Sequence, residues 1–200
     1  KSGANIYYEG TPIAKDEMVR IIKEKDYKAL PENMQAAAEE AMETLLRSGD
    51  GQLCDVIIDR ATMEAIMEAG RKSKDDIIRD YAESTVAVAN IKIAVRASKT
   101  AKSLEFMKRA MAPCGSLNID RLAHAALAGM DSIIEYLGET GYAEAAEALK
   151  ESPSAFERWC DNRIIQTIKP QKTNPFSVGP LVAYVIAREN EIKTVRIILT

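Results

Sequence analysis

Two stretches decide the reading of this chain: Ala87-Val-Ala-Asn90-Ile-Lys-Ile-Ala-Val95-Arg96 and Ala187-Arg-Glu-Asn190-Glu-Ile-Lys-Thr-Val195-Arg196. The second repeats the asparagine, the valine and the arginine of the first at an offset of 100 residues. Other short matches keep the same order. Cys54-Asp55 returns as Cys160-Asp161, and Gly10-Thr-Pro-Ile as Gly115-Ser-Leu-Asn, with offsets that drift as loop insertions would make them. Self-similarity at a fixed period marks a repeat architecture. The spacing predicts a tandem of two similar multi-helical units, 1–97 and 98–200, and a shape-forming body rather than a pocket enzyme.

Working outward, the chain reads as helix almost throughout. Pro31 stands at a first helical position before Met34, Ala37, Ala38, Ala41 and Leu45, spaced at three and four, and Gly49 ends that run. Leu53, Val56, Ile57, Met63 and Met67 line the next helix, which ends near Gly70. Ser73 is the expected cap of a third, with Ile77, Ile78, Tyr81, Val88, Ile91 and Val95 along its stripe. Leu104, Met107 and Met111 form a face before Pro113-Cys-Gly115 breaks the chain. Asn118 or Asp120 opens a short helix that Gly129 closes, and Ile133, Ile134 and Leu137 mark another, bounded by Gly138. Ser152-Pro153 caps a helix carrying Phe156, Trp159, Cys160, Ile164 and Ile168. Pro180 starts the last one, with Leu181, Tyr184, Val185, Ile192, Val195 and Ile198 expected on its inner side. Strand signals are nearly absent, so the fold class is all-α.

Composition excludes several functions. Hydrophobic content of 46% and charged content of 28% are those of a globular chain. A net charge of −3 provides no field that would recruit nucleic acid. No run of 18 apolar residues is present, so no spanning helix is expected. Three cysteines without CxxC spacing, Cys54, Cys114 and Cys160, point to reduced thiols in a cytosolic setting. A first residue that is lysine rather than methionine suggests a piece of a longer chain.

Chemistry-bearing constellations are scarce. His124 is the only histidine and has no carboxylate beyond Asp120 and Asp131 at helical spacing, so a general base is not expected there. A zinc site needs three or four converging ligands, which one histidine and dispersed cysteines do not build. Asp55 and Asp59, one turn apart, could share a cation, but Arg60 beside them favours a salt-bridged surface. Gly49-Asp-Gly51 lacks the lysine and the preceding strand of a phosphate loop. No catalytic residue, cofactor or metal is expected. The methionines Met42, Met63, Met67, Met107, Met111 and Met130 fall at core spacing as gap fillers.

The recurring polar residues therefore carry the interest. Asparagine is a poor helix-interior residue, and finding it twice in mid-helix implies that it bonds a neighbouring helix or the following loop. An arginine near a helix end complements the dipole and can fork onto a carbonyl or carboxylate. On that basis Arg96 and Arg196 would be structural, each worth about 1–3 kcal/mol through partners among buried polar groups. Asn90, Arg96, Asn190, Arg196, Asp55 and Asp161 are the candidate structural, inter-unit positions. The alternative for the first four is a tolerated asparagine and a solvent-exposed arginine.

The stretch Asn174-Pro-Phe176-Ser-Val-Gly-Pro180-Leu-Val-Ala-Tyr184, continuing to Glu189-Asn190-Glu191-Ile192 and Arg196, resembles the C-terminal signature of the C subunit of V-type (archaeal/vacuolar-type) ATPases. The d subunit of the vacuolar ATPase is its eukaryotic relative. Leu30-Pro31 through Gln52-Leu-Cys-Asp55-Val-Ile-Ile-Asp59-Arg60-Ala61, and Asn90-Ile91 leading to Arg96, look like the same family, so the likeness covers essentially the whole chain. Gly179 departs from the family's glutamate before the proline, and Ala87 from an expected aspartate. The resemblance implies a funnel of three helical units, of which these two are the second and third. It implies a non-catalytic central-stalk rotor component, cytoplasmic and peripheral to the membrane. Such a component sits on the membrane c-ring of proteolipid subunits, receives the D and F stalk subunits, and couples ATP hydrolysis or synthesis to proton or sodium transport. The competing reading is a cytosolic helical-repeat scaffold that binds other proteins.

Overall fold

The computed structural model describes residues 11–173 and 176–199. Gly10 of the short repeat and Asn174 and Pro175 of the C-terminal signature lie outside the described residues. Among those described, the secondary structure is ten α-helices and two short 3-10 turns, without a strand. The chain divides into two compact units, 1–61 and 62–200. That division falls inside a helix and not at 97/98, where the repeat read from the sequence changes over.

The first unit holds α1 (Lys15–Glu24), α2 (Glu32–Ser48) and the start of α3 (Gly51–Lys72). On α1 Ile21 is buried, while Arg20 on the outer side gathers Glu17, Glu24 and Asp26 at 2.7, 2.9 and 3.1 Å. These groups are exposed, and such pairs contribute little to stability. The turn between α1 and α2 is held by Gln35 Nε2, which donates to the Leu30 carbonyl at 2.9 Å. Gly49 stops α2 in the left-handed region, at φ 66°, where a residue with a Cβ would be strained.

The second unit is built around α4 (Asp76–Lys99). Eleven of its residues are buried, among them Val86, Ala87, Asn90, Ile91 and Ala94. Ser73 does not cap α4. The helix starts at Asp76 after Asp75, and the Ser73 hydroxyl instead accepts from the Asp75 amide at 3.1 Å. Around α4 stand α5 (Leu104–Ala110), α6 (Ile119–Ala128), α7 (Met130–Gly138), α8 (Ala143–Glu151), α9 (Pro153–Ile168) and α10 (Gly179–Leu199). Two caps are those the sequence marks: Asn118 accepts from the Arg121 amide and Ser152 from that of Ala155. Ser103 adds a third, accepting from the Phe106 amide at the start of α5. Gly129 joins α6 to α7 at φ 129°, a conformation that favours glycine. The small helix α8 carries no strong apolar stripe in sequence, and Ala145 and Ala146 are what it buries.

One core joins α4 to α5, α6, α7, α8 and α9, with Ile91, Met107, Leu122, Ile133, Leu137 and Phe156 at its centre. It runs across position 97, so residues on both sides of the repeat boundary share a single interior. α9 lies antiparallel to α4. Ile77 packs with Ile168, Ser84 receives a hydrogen bond from Thr167 at 3.1 Å, and Lys92 pairs with Glu157 at 2.7 Å. On another side of α4, Met63 and Met67 of α3 pack against Val86. The two helices approach so closely that a Cβ added at Gly70 would lie 2.6 Å from that of Ala82.

Candidate functional site

Two features of the second unit stand out: a partly buried irregular segment that α4 holds by its side chains, and an apolar face of α10 that nothing covers among the described residues.

Between α5 and α6 the chain leaves helical geometry over residues 111–118, yet Met111, Ala112 and Leu117 are buried. A buried irregular backbone needs partners for its amide and carbonyl groups. Asn90 supplies two of them. Its Nδ2 donates to the Ala112 carbonyl at 2.8 Å and its Oδ1 accepts from the Ala112 amide at 3.0 Å, so a fully buried side chain acts as a strand partner would. The same Nδ2 also lies 3.7 Å from Cys114 Sγ. Two turns earlier on α4, Glu83 accepts from the amides of Gly115 at 3.0 Å and Ser116 at 2.7 Å, and from Ser116 Oγ at 2.5 Å. Ser116 Oγ is 2.8 Å from the Tyr142 hydroxyl. Tyr136 closes the segment, accepting from the Asn118 amide at 2.8 Å and donating to its carbonyl at 3.1 Å.

The electrostatics follow from these bonds. Burial would raise the Glu83 carboxyl, but the Ser116 hydroxyl and the two amides outweigh it and hold the group below its ordinary value. Burial also raises the Cys114 thiol, with the Glu83 charge acting in the same direction. Burial raises the Tyr142 phenol, whose ring lies beneath the Arg163 guanidinium at 5.2 Å. The arrangement ties one helix to a loop.

The outer face of α10 departs from the sequence expectation. Leu181, Tyr184, Val185, Ile192 and Val195 point outward, with Leu181 68% and Tyr184 64% exposed. The inner side is formed instead by Ile186, with Val182 and Ala183, against Ile77 and Ile168. The helix has apolar residues on two sides, and periodicity alone does not tell which of them meets the core. The Ile198 side chain is outside the described set.

The six inter-unit positions fall in different surroundings. Asn90 is in the core, whereas Asn190 is half-buried on α10. Arg96 and Arg196 are both exposed. Asp55 is exposed on α3; Asp161 of α9 pairs with Lys193 of α10 at 2.5 Å. Cys160 is buried at 1% exposure, its thiol pushed up to about 12 by that burial, while its repeat counterpart Cys54 is half-buried. Ala87 is fully buried in the core, where a carboxylate would need a partner. A Cβ at Gly179 would collide with Gln171 Oε1.

His124 is exposed, its Nδ1 2.7 Å from the Asp120 carbonyl. It stands at a shallow cleft of about 300 Å³ with Arg121 and Glu139, which pair with each other at 2.9 Å. Among the described residues no three His, Cys, Asp or Glu side chains are grouped to hold a metal ion, and no helix is long and apolar enough to cross a membrane. Glu83, Ser116, Tyr136 and Tyr142 were not singled out by the sequence. The signal for them was the Pro113-Cys-Gly115 break, a helix interruption whose backbone had to be satisfied by neighbours.

Comparison with known proteins is consistent along the chain. The family described as ATP synthase (C/AC39) subunit matches residues 4–200. The A-type ATP synthase C subunit of Methanocaldococcus jannaschii is 28% identical over 145 residues, covering 68% of this chain and 36% of that protein. The protein of the same name from Desulfurococcus sp. is 29% identical over 133 residues, covering 62% and 36%. That of Thermococcus kodakarensis is 22% identical over 145 residues, covering 68% and 39%. The chain thus spans little more than a third of the length of these curated relatives. No solved structure matches it significantly.

Proposed function

The chain belongs to the ATP synthase (C/AC39) subunit family, and from that premise we propose that it is a non-catalytic part of the central rotor of an A/V-type ATP synthase or ATPase. In this reading it couples the soluble ATP-hydrolysing or ATP-synthesising sector to the membrane c-ring. Its partners are the proteolipid subunits of that ring and the D and F stalk subunits, and it lies at the cytoplasmic face as a peripheral component. The repeat units 1–97 and 98–200 correspond to the second and third units of the family's funnel. Asn90, Arg96, Asn190, Arg196, Asp55 and Asp161 serve structural and inter-unit roles.

The single observation that carries this reading is the family match along residues 4–200. The physical chemistry of the second unit agrees with the task. A body that transmits torque must deform little under load, and close-packed interiors have low compressibility. In this unit the longest irregular stretch of the core is pinned to α4 by Asn90 and Glu83. Those side chains remove a soft joint from the interior. Proton or sodium selectivity belongs to the ring and the membrane protein that faces it in such machines, not to this chain.

The test is direct binding. The protein is mixed with detergent-solubilised c-ring, and separately with the D–F stalk pair, and complexes are followed by co-elution. Binding to either is the expected outcome. Failure to bind both removes the rotor reading.

A further inference from the structure

Pro113, Cys114, Gly115 and Ser116 form an arch between two fixed ends. At one end Ala112 is fully buried, and Asn90 holds both its amide and its carbonyl. At the other, Leu117 is buried in the main core, and the Tyr136 hydroxyl holds the amide and carbonyl of Asn118. Between these ends Pro113, Gly115 and Ser116 are exposed. A single side chain fastens the crown of the arch to α4. Glu83 Oε2 accepts from the Gly115 amide, and Oε1 accepts from both the amide and the hydroxyl of Ser116. Bonds to an ionised carboxylate are roughly twice as strong as bonds to a neutral acceptor. The ends depend on an amide, a phenol and apolar burial, none of which changes charge in acid. The crown depends on a group that does.

We propose that Glu83 is a proton-operated clasp: ionised, it holds Gly115 and Ser116 on α4; protonated, it lets the crown of the arch open while Ala112 and Asn118 stay in place. Proton uptake turns one carboxylate oxygen into an O–H donor and leaves a weaker, neutral acceptor for three donors. The released amides are at the surface, where water replaces the lost partner. Opening is local because Cys114, half-buried, is the one residue of the arch not already exposed. The surroundings leave Glu83 as the titrating member. On α4, Arg79 one turn before it is committed to Asp76 and to the Ser73 carbonyl, and Asp80 is exposed on the far side of that turn's bonds to the arch. Burial raises the Cys114 thiol, the Tyr142 phenol before α8 and the Tyr136 phenol of α7, so all three keep their protons through the acid and neutral range. Arg163 of α9, lying on the Tyr142 ring, keeps its charge. The folded Glu83 carboxyl lies below its ordinary value. The clasp is therefore closed at neutral pH and opens as pH falls through the folded value, below 4.5. The device belongs to the second unit alone and does not depend on the rotor reading.

Amide hydrogen exchange followed by NMR on the whole chain reads these positions one by one, with each rate corrected for the intrinsic pH dependence of exchange. Between neutral pH and the acid side of 4.5, protection of Gly115 and Ser116 should fall on the order of tenfold. Protection of Ala112 and Asn118 should change less than about twofold over the same range, since their partners do not titrate there. Glu83→Gln should show the low protection of Gly115 and Ser116 already at neutral pH, and no further fall in acid. An equal loss at Ala112 and Gly115 overturns the proposal, because the segment then opens as one piece or the whole unit unfolds. Constant protection of Gly115 and Ser116 through the acid range overturns it as well. So does a Glu83→Gln protein in which their protection still falls with pH, which would move the titration to another carboxylate.

Discussion

α4 and α10 share a motif and differ in their surroundings. Each carries an asparagine, a valine five residues on and an arginine one further, yet Asn90 and Val95 are buried while Asn190 is half-buried and Val195 is 47% exposed. The same local sequence is a structural clamp in one helix and an edge in the other. What separates them is the neighbours. α4 shares one core with five other helices of its unit, while α10 meets mainly α9 and the short turn before it. A motif records which residues fall on one side of a helix, and the surrounding chain decides what that side is worth.

The contrast can be broken most decisively at the asparagines. Asn90→Ala strands the Ala112 amide and carbonyl in the core and should cost about 3 kcal/mol by urea denaturation. Asn190→Ala should cost less than about 0.5 kcal/mol. Equal losses would mean that the two helices are used alike and that the burial difference is immaterial. The valines come next. Val95→Ala, which opens a small cavity, should cost about 2 kcal/mol, and Val195→Ala less than about 0.5 kcal/mol.

Glu83 sharpens the picture through pH. Its folded carboxyl lies below its unfolded value, so its contribution is complete above the ordinary carboxylate value of 4.5 and is lost as pH falls through the folded value. Glu83→Gln should lower stability by about 1–2 kcal/mol at pH 7 and converge on the wild type only as pH falls through the folded carboxyl's value, below 4.5. A difference between the two proteins that is independent of pH would show that the carboxylate charge is not what holds Gly115 and Ser116. The smallest effects belong to the arginines. Arg96→Ala and Arg196→Ala remove exposed guanidinium groups and should each change stability by less than about 1 kcal/mol in thermal melts. A loss of several degrees in either would show that its role extends to the stability of the chain by itself.

The legible part of the fold was local. Helix ends at Gly49, Asn118, Gly129 and Ser152 follow from capping and glycine chemistry that acts over four residues, and the structure places them there. Asn90 announced itself because an amide side chain in mid-helix needs a partner. Glu83 did not, since a glutamate on a long helix looks like any solvated charge until the loop beside it is known. α8 escaped for a related reason. A nine-residue helix that buries alanines leaves almost no periodic signal.

By itself the sequence determined the helical class, most helix boundaries and the recurrence of Asn90 and Arg96 at 190 and 196, because propensity, capping and spacing act within a turn or two. Tertiary structure alone decided that Asn90 grips Ala112, that Glu83 receives the amides of Gly115 and Ser116, and that α10 turns Leu181 and Ile192 outward. Burial is a property of the neighbours that arrive from elsewhere in the chain. A helix with apolar residues on two sides cannot state from within which of them those neighbours will cover.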